Sequence, residues 1–529
     1  MVAVQGFICR DGYASFAVYE RPAAVGAIHV ESVTEVGPRG SPVAREALAT
    51  WPLHWFWIEF GADRLTIESS SLPAMPVFLA ASGRAALVSW DPLDLYSYLP
   101  GDLDHGAAAH FLSSFDQPYG PRTVVAGLTR LCAGYRAQWT VHEGWTLSPP
   151  QPERPGHPRI LRPEADPVGS FTDLLDSTIA RFAPSTSTAL AAEFSGGLDS
   201  TMVAAAASCR GHRVSTFGLI MPGAAGEGQR ARRDTSIGLF GWQDHARVAE
   251  NHAIWSSLEG RFAQERTVPW EELYYDPFEQ LLRQAASDGH RILLSGLGGD
   301  ELLCPYWDEK PDAEGEMQLL RGKRTLPSFI AREVAAKGEA LAGELNASPL
   351  GFAQRSVMAS AANSAAQRLR HGIWPAHPLI TPEIVRYCHA LPAEWRGGRR
   401  LMRQALARLG VPQSVSNPAG TENFAAFCEA EMRSCPVFRD LLQARRLSEM
   451  GLVEPSAVEP AFSRWCDGNT PPEWDLYFIA IVILEATVRT LRASKSEENQ
   501  STWSALGATV RGTGGAPNLW RNGRGERIN

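Results

Sequence analysis

The chain has 529 residues, 44% of them hydrophobic and 20% charged, with a formal net charge of −8. That length exceeds one core and predicts two or three domains, while the acidic balance lacks the basic footprint of a nucleic-acid binder. No apolar run reaches membrane-spanning length, and residues 1–12 carry no charged start followed by an apolar stretch, so neither a membrane span nor a signal peptide is expected. The eight cysteines are scattered without a CxxC pair and the 13 histidines show no metal-ligand spacing, as in a reduced cytoplasmic protein. Lysine occurs only at positions 310, 323, 337 and 495, so a catalytic lysine has few candidates.

Residues 1–148 are rich in short alternating segments around Phe16, Ile28, Leu65, Leu87 and Trp139. They predict strands of an antiparallel, layered domain. The aromatic run WPLHWFWIEF (51–60) reads as a core strand pair. Residues 149–168 hold seven prolines and form a stiff linker. From residue 169 the pattern changes. A strand ends near Phe194, a Gly-rich loop follows, and an alanine-rich helix runs to Cys209. VSTFGLI (214–220) is a second buried strand, and RILLSGLGGDE (291–301) is a third that ends in another Gly-rich loop. Such alternation implies a parallel sheet covered by helices. After about residue 315 the chain reads as all-helical, and from about 494 as a polar, flexible tail.

The two loops carry the chemistry. In EFSGGLDSTM (193–202), Gly196 and Gly197 permit φ > 0 and close ligand approach. Unpaired N–H groups at the helix start favour an anion, and Ser195 and Ser200 add hydroxyl donors. Asp199 is out of place in a pure anion site unless a divalent cation joins it to phosphate oxygens. SGLGGDE supplies a second such residue, Asp300. Loops that follow parallel strands share the carboxyl edge of the sheet, where ligands gather. Two carboxylates beside one phosphate cradle make a Mg²⁺ site plausible.

SGGLDS followed about a hundred residues later by SGLGGDE resembles the synthetase domain of the asparagine synthetase superfamily. The likeness extends to LVSWDPLDLYSYL (87–99), to RTVVAGLTRLCAGYRAQWT (122–140) and to LPAEWRGGRRLMRQAL (391–406). The resemblance implies an α/β protein in two parts. The first, 1–148, would be a glutaminase-like, Ntn-type αββα layered domain. The second, 169–529, would be an ATP-pyrophosphatase-type domain with a parallel sheet and a helical extension. Enzymes of this kind use ATP and Mg²⁺, transfer AMP to a carboxylate and let an amine displace it to form an amide. Carried over by position, Ser195, Gly196, Gly197, Asp199 and Ser200 would hold pyrophosphate. Phe194 and Phe217 would line the adenosine site with Ser295 and Gly296 nearby, and Asp199 and Asp300 would bind Mg²⁺. Both phenylalanines also fit a strand core.

Departures from the family pattern narrow the expectation. Where active glutaminase domains carry a cysteine after the initiator methionine, this sequence has Val2. Cys9 lies inside the chain and offers no free α-amine, so no glutamine-hydrolysing nucleophile is expected. Position 297 is Leu, where asparagine synthetases carry Glu and β-lactam synthetases a Tyr. The segment ENFAAFCEAEMRSCPVFRDLLQARRLSEMGLVEP most resembles lasso peptide cyclases, which join a peptide's N-terminal amine to an Asp or Glu side chain. The family's lysine near residues 411–424 is missing. Asn417 stands near the place of its preceding arginine, and Ala419 or Thr421 near its own. Arg399, Arg400, Arg403 or Lys495 are the candidates to supply the lost cation. Glu301, Tyr274, Tyr275 and Asp276 are candidates to accept the amine's proton, although the tyrosine pair also fits an aromatic helix face packed into the core. The expected partners are a precursor core peptide, a leader peptidase and a leader-binding protein. A small-molecule amide- or β-lactam-forming synthetase and a catalytically silent peptide adapter stand as the alternatives.

Overall fold

The computed structural model describes residues 54–60, 64–72, 75–83, 85–114, 119–151, 159–183, 189–249, 267–270, 274–303, 326–345, 355–418, 425–470 and 474–501, and before them four strand segments between 7 and 35. Val2, Ala419 and Thr421 fall outside these residues.

The N-terminal part is antiparallel. Its strands are β1 (Phe7–Cys9), β2 (Ser15–Pro22), β3 (Ile28–Val30), β4 (Thr34–Glu35), β5 (Trp55–Phe60), β6 (Arg64–Ser69), β7 (Val77–Ser82), β8 (Ala85–Ser89), β9 (Thr129–Leu131), β10 (Arg136–Thr140) and β11 (Gly144–Ser148). One sheet has the order β1-β8-β7-β9, and the other runs β11-β10-β6-β5-β2-β3 with β4 on β2. Period-two patterning builds the layers. Val77, Leu79, Ala86 and Val88 face Phe56, Ile58, Leu65 and Ile67 of the second sheet. The alternate residues Phe78, Ala80 and Leu87 face the helix His105–Ser114. The described residues thus show one helix layer and two sheets; a second helix layer is not among them. The aromatic run gives one strand, β5, rather than a strand pair, because both its edges are taken by β2 and β6.

The C-terminal part holds a five-stranded sheet in the order β14-β13-β12-β15-β16, every pairing parallel. Its strands are β12 (Leu190–Glu193), β13 (Val214–Ile220), β14 (Gln243–Val248), β15 (Ile292–Leu294) and β16 (Trp374–Ala376). All seven residues of β13 are buried, as in a strand covered on both faces. The chain moves outward from β12 to β13 and β14, then returns to β15 on the other flank. The order therefore reverses between β12 and β15, and this switch point opens a crevice at their carboxyl ends. Two expectations are corrected. The region after 315 is not all-helical, since WPA (374–376) adds β16 beside β15; three residues are too few to carry a period. The segment after 494 does not begin as loose tail, since the helix Trp474–Ser501 runs through it.

Polar pairs join the two parts. Arg370 grips Asp91 with two bonds, Nε to Oδ2 at 2.7 Å and NH2 to Oδ1 at 2.8 Å, and both side chains are largely buried. Arg130 donates to Asn363 at 3.1 Å. Arg370→Ala would strand the Asp91 carboxylate in a dry interface. A loss of about 3 kcal/mol of stability is expected, read as a lower urea midpoint.

Among the described residues no helix is long and apolar enough to cross a membrane.

Candidate nucleotide site

The loop after β12 turns through Gly196 at φ +81 and enters the helix Leu198–Cys209 with Gly197 as its N-cap. Only a residue without a side chain fits there, because a Cβ on Gly196 would lie 3.0 Å from Arg233 Cγ and 3.3 Å from the Gln229 carbonyl. The loop is fixed by its own hydroxyls. Ser195 N–H donates to Ser200 Oγ at 3.3 Å, Gly197 N–H donates to Ser195 Oγ at 3.1 Å, and the two hydroxyls are 3.2 Å apart. The helix Gly223–Phe240 clamps it from outside. Gln229 donates to the Ser195 and Leu219 carbonyls at 2.9 and 2.8 Å and accepts from Met221 N–H at 2.8 Å. Arg232 Nε donates to the Gly196 carbonyl at 3.0 Å.

The loop after β15 packs directly on this one. A Cβ on Gly296 would lie 2.7 Å from the Asp199 carbonyl carbon, and one on Gly299 would overlap the Asp199 carboxyl group. The glycines of SGLGGD thus allow two backbones to touch. Ser295 is buried, with its hydroxyl 2.7 Å from His377 Nδ1 at the end of β16. Leu297 packs against the apolar cluster around Leu198 and Met202.

At the meeting point lie Asp199 and Asp300, with Arg399 between them. Its NH1 is 2.9 Å from Asp199 Oδ2 and 2.6 Å from Asp300 Oδ1. Asp300 is 73% exposed at its side chain and Asp199 only 17%, so the two carboxylates span the lip and floor of the crevice. Burial pushes the Asp199 carboxyl up to about 6; Arg399 opposes this, while Asp300 and Glu301 add to it. Asp199 Oδ1 is buried with no hydrogen-bond partner. A divalent cation fits the chemistry of this donor set, which includes a buried carboxylate oxygen without a partner: Asp199 and Asp300 would hold it, and it would supply neutralisation of phosphate charge. No group of three or more metal-ligating side chains occurs among the described residues.

The other expected residues sort as follows. Phe194 and Phe217 are both buried; the first lies edge-on to Trp242 under the Arg233 guanidinium, and the second stacks on His245 at 4.8 Å. They therefore pack in the core behind the loops. Arg403 makes no ion pair with the carboxylates among the described residues; it donates to the Gly398 carbonyl at 2.7 Å, to Asn417 Oδ1 at 2.7 Å and to the Ser416 carbonyl, while remaining close enough to feel the Asp199 charge. Arg400 is exposed and stacks 4.7 Å over the Trp395 ring. The stem of Lys495 lies against Gly101 in the N-terminal part. Tyr275 is buried, and its hydroxyl accepts from Arg370 at 3.2 Å. Tyr274 packs against two core clusters, and Asp276 lies in the first turn of the same helix.

Sequence reasoning missed Gln229, Arg232 and His377. Nothing in the spacing of the run GQRARRD signals that Gln229, Arg232 and Arg233 are buried. His377 is fully enclosed, and burial pushes its pKa down to about 3; burial likewise brings His54 to about 4, against an ordinary 6.5. Unfolding takes up a proton at each ring anywhere between those values and 6.5. This contribution is whole above pH 6.5 and falls as pH drops. A loss on the order of 1–2 kcal/mol per histidine is expected by pH 5, checked by urea midpoints at pH 7.5 and 5.

A parallel sheet with a switch-point crevice, two touching Gly-rich loops and paired acidic residues define a nucleotide-binding α/β protein. Residues 170–489 match the asparagine synthase family model, and the chain belongs to that family. Among curated proteins, none matches the chain. Solved structures similar to it include an NH3-dependent NAD synthetase from Campylobacter jejuni, at 12% identity over 39% of this chain and 95% of that one, with a TM-score of 0.19. A U34-tRNA thiolase from Methanococcus maripaludis matches at 13% identity over 45% of this chain and 80% of that one, TM-score 0.21. An NMN synthetase from Francisella tularensis matches at 13% identity over 49% of this chain and 100% of that one, TM-score 0.18.

Proposed function

We propose that the chain is an ATP-dependent, AMP-forming carbon–nitrogen ligase that closes a macrolactam in a peptide, as lasso peptide cyclases do. Family membership supports the ATP-using ligase class. The observation that carries the nucleotide part is the contact of the two Gly-rich loops with Asp199 and Asp300 at their junction. Support for a peptide over a small acid is the apolar Leu297, which offers neither a carboxylate nor a phenol to a small substrate's amine, together with the lasso-cyclase likeness of the segment after 421.

In this reading the 195–200 loop holds the phosphates with backbone N–H groups and the two serine hydroxyls. Asp199 and Asp300 would hold Mg²⁺, which supplies neutralisation of phosphate charge. A side-chain carboxylate of the bound peptide takes AMP with loss of pyrophosphate. The peptide's own amine then displaces AMP, and one water is lost overall. The protein's contribution is positioning, which makes ring closure nearly unimolecular. Glu301, one residue beyond Asp300, is the proposed proton acceptor for the amine. The proposed partners are a precursor core peptide, a leader peptidase and a leader-binding protein, all in the cytoplasm.

The test is AMP and pyrophosphate release from Mg²⁺·ATP with and without a linear core peptide, beside the mass of the product. Peptide-dependent AMP and a product lighter by one water support the reading. AMP formed with a small amino acid and not with peptides would support the small-molecule synthetase instead. Peptide binding without AMP would favour the silent adapter.

A further inference from the structure

Arg399 links the two carboxylates that would hold a divalent cation. Its guanidinium contacts Asp199 Oδ2 and Asp300 Oδ1, while Asp199 Oδ1, packed against Gly299 of the second loop, is buried with no hydrogen-bond partner. The backbone is bent to achieve this. Arg399 is left-handed at φ 55, ψ 35, directly after Gly398 at φ 59, ψ 18, and the regular helix Arg400–Arg408 starts only after the bend. A left-handed conformation is unfavourable for a residue with a Cβ and persists only where its surroundings hold it. Arg403 supplies part of that hold by bonding the Gly398 carbonyl and the Ser416–Asn417 segment. Its neighbour Arg400 is committed to Trp395. Of the three, Arg399 is the one that makes ion pairs with the two carboxylates.

We propose that Arg399 is a displaceable counter-ion: its guanidinium and the divalent cation compete for Asp199 and Asp300, so that the metal enters only together with nucleotide. The proposal rests on the nucleotide reading above and extends it to the order in which ligands are accepted. With Arg399 in place, its guanidinium is the cation in contact with Asp199 and Asp300, with Glu301 adding negative charge and Arg403 positive charge nearby. A bare divalent cation must break both ion pairs to enter. A metal–nucleotide complex meets no such opposition, because its phosphates give the released guanidinium a planar, bidentate partner. The side chain needs only to rotate, since the bend itself is tethered through Arg403. Arg399 thereby converts a cation already stored in the protein into a phosphate contact.

The experiment is Mn²⁺ binding to the full chain without nucleotide, followed by the loss of the free-ion electron paramagnetic resonance signal. Arg399→Ala and Arg399→Gln are compared with the wild type, with melting temperature as the check on folding. Both variants are expected to bind Mn²⁺ at least tenfold more tightly than the wild type, and Arg399→Lys, which keeps the charge, to stay within about threefold of it. Adding α,β-methylene-ATP is expected to raise Mn²⁺ affinity strongly in the wild type and little in Arg399→Gln. Unchanged or weaker Mn²⁺ binding in a folded Arg399→Gln protein overturns the counter-ion. If the analogue binds no variant at all, the nucleotide reading fails, and the comparison without nucleotide still decides the competition between Arg399 and metal.

Discussion

Asp199→Asn is expected to lower ATP-dependent AMP formation by about 10³-fold while the protein still folds, and Asp300→Asn by about 10²-fold. The two carboxylates differ in setting. Asp199 is on the floor of the crevice, where burial raises its pKa to about 6 and leaves one oxygen without a partner. A charge in such a place acts through a low local dielectric and gains most from a bound cation. Asp300 is at the exposed lip, where water screens it. Asparagine matches aspartate in shape, so the loops keep their packing. Removing a buried charge offsets the loss of its ion pair with Arg399, so stability should move by no more than about 1 kcal/mol. AMP chromatography and thermal melts check both parts. Equal activity of Asp199→Asn and the wild type would remove Asp199 from the site.

The second large effect concerns the contact between the loops. Gly299→Ala is expected to abolish nucleotide binding and to destabilise the fold by about 1–3 kcal/mol. Its Cβ would occupy the volume of the Asp199 carboxyl group, and the backbones cannot separate without breaking the β12–β15 neighbourhood. Gly296→Ala meets the Ser200 and Asp199 backbone and should behave alike. Gly197→Ala is the contrast. Its φ of −84 suits alanine, and the nearest atom is a side-chain one, Ser195 Oγ at 3.0 Å, which can give by a few tenths of an ångström more readily than backbone. That variant should melt like the wild type yet bind nucleotide more weakly, because the methyl group obstructs phosphate at the loop. Melting curves and equilibrium binding of an ATP analogue separate the two cases.

Much of this site is legible in the sequence because its determinants are local. Around SGGLDS a buried run, glycines with one acid and then alanine-rich residues read as strand, tight loop and helix, and SGLGGDE repeats the strand and the Gly-rich loop with its acid. The mostly apolar, fully buried β13 is equally plain. Other elements lack such a signal. β14 is polar along its length because it forms the edge of the sheet, and β16 is three residues long. The helix Gly223–Phe240 carries charges, yet Arg233 is almost wholly buried against Phe194 and Asp244.

The sequence by itself determined the parallel α/β class of the second part, the two Gly-rich loops and the acidic residue in each. The tertiary structure decided the rest. That β12 and β15 are neighbours, and so bring Asp199 to Asp300, follows from strand order, which no periodicity encodes. That Arg399, and not Arg400 or Arg403, makes the ion pairs with them follows from two consecutive left-handed residues. A run of arginines offers the same charge at each position, and only the bend of the backbone selects which one is aimed into the crevice.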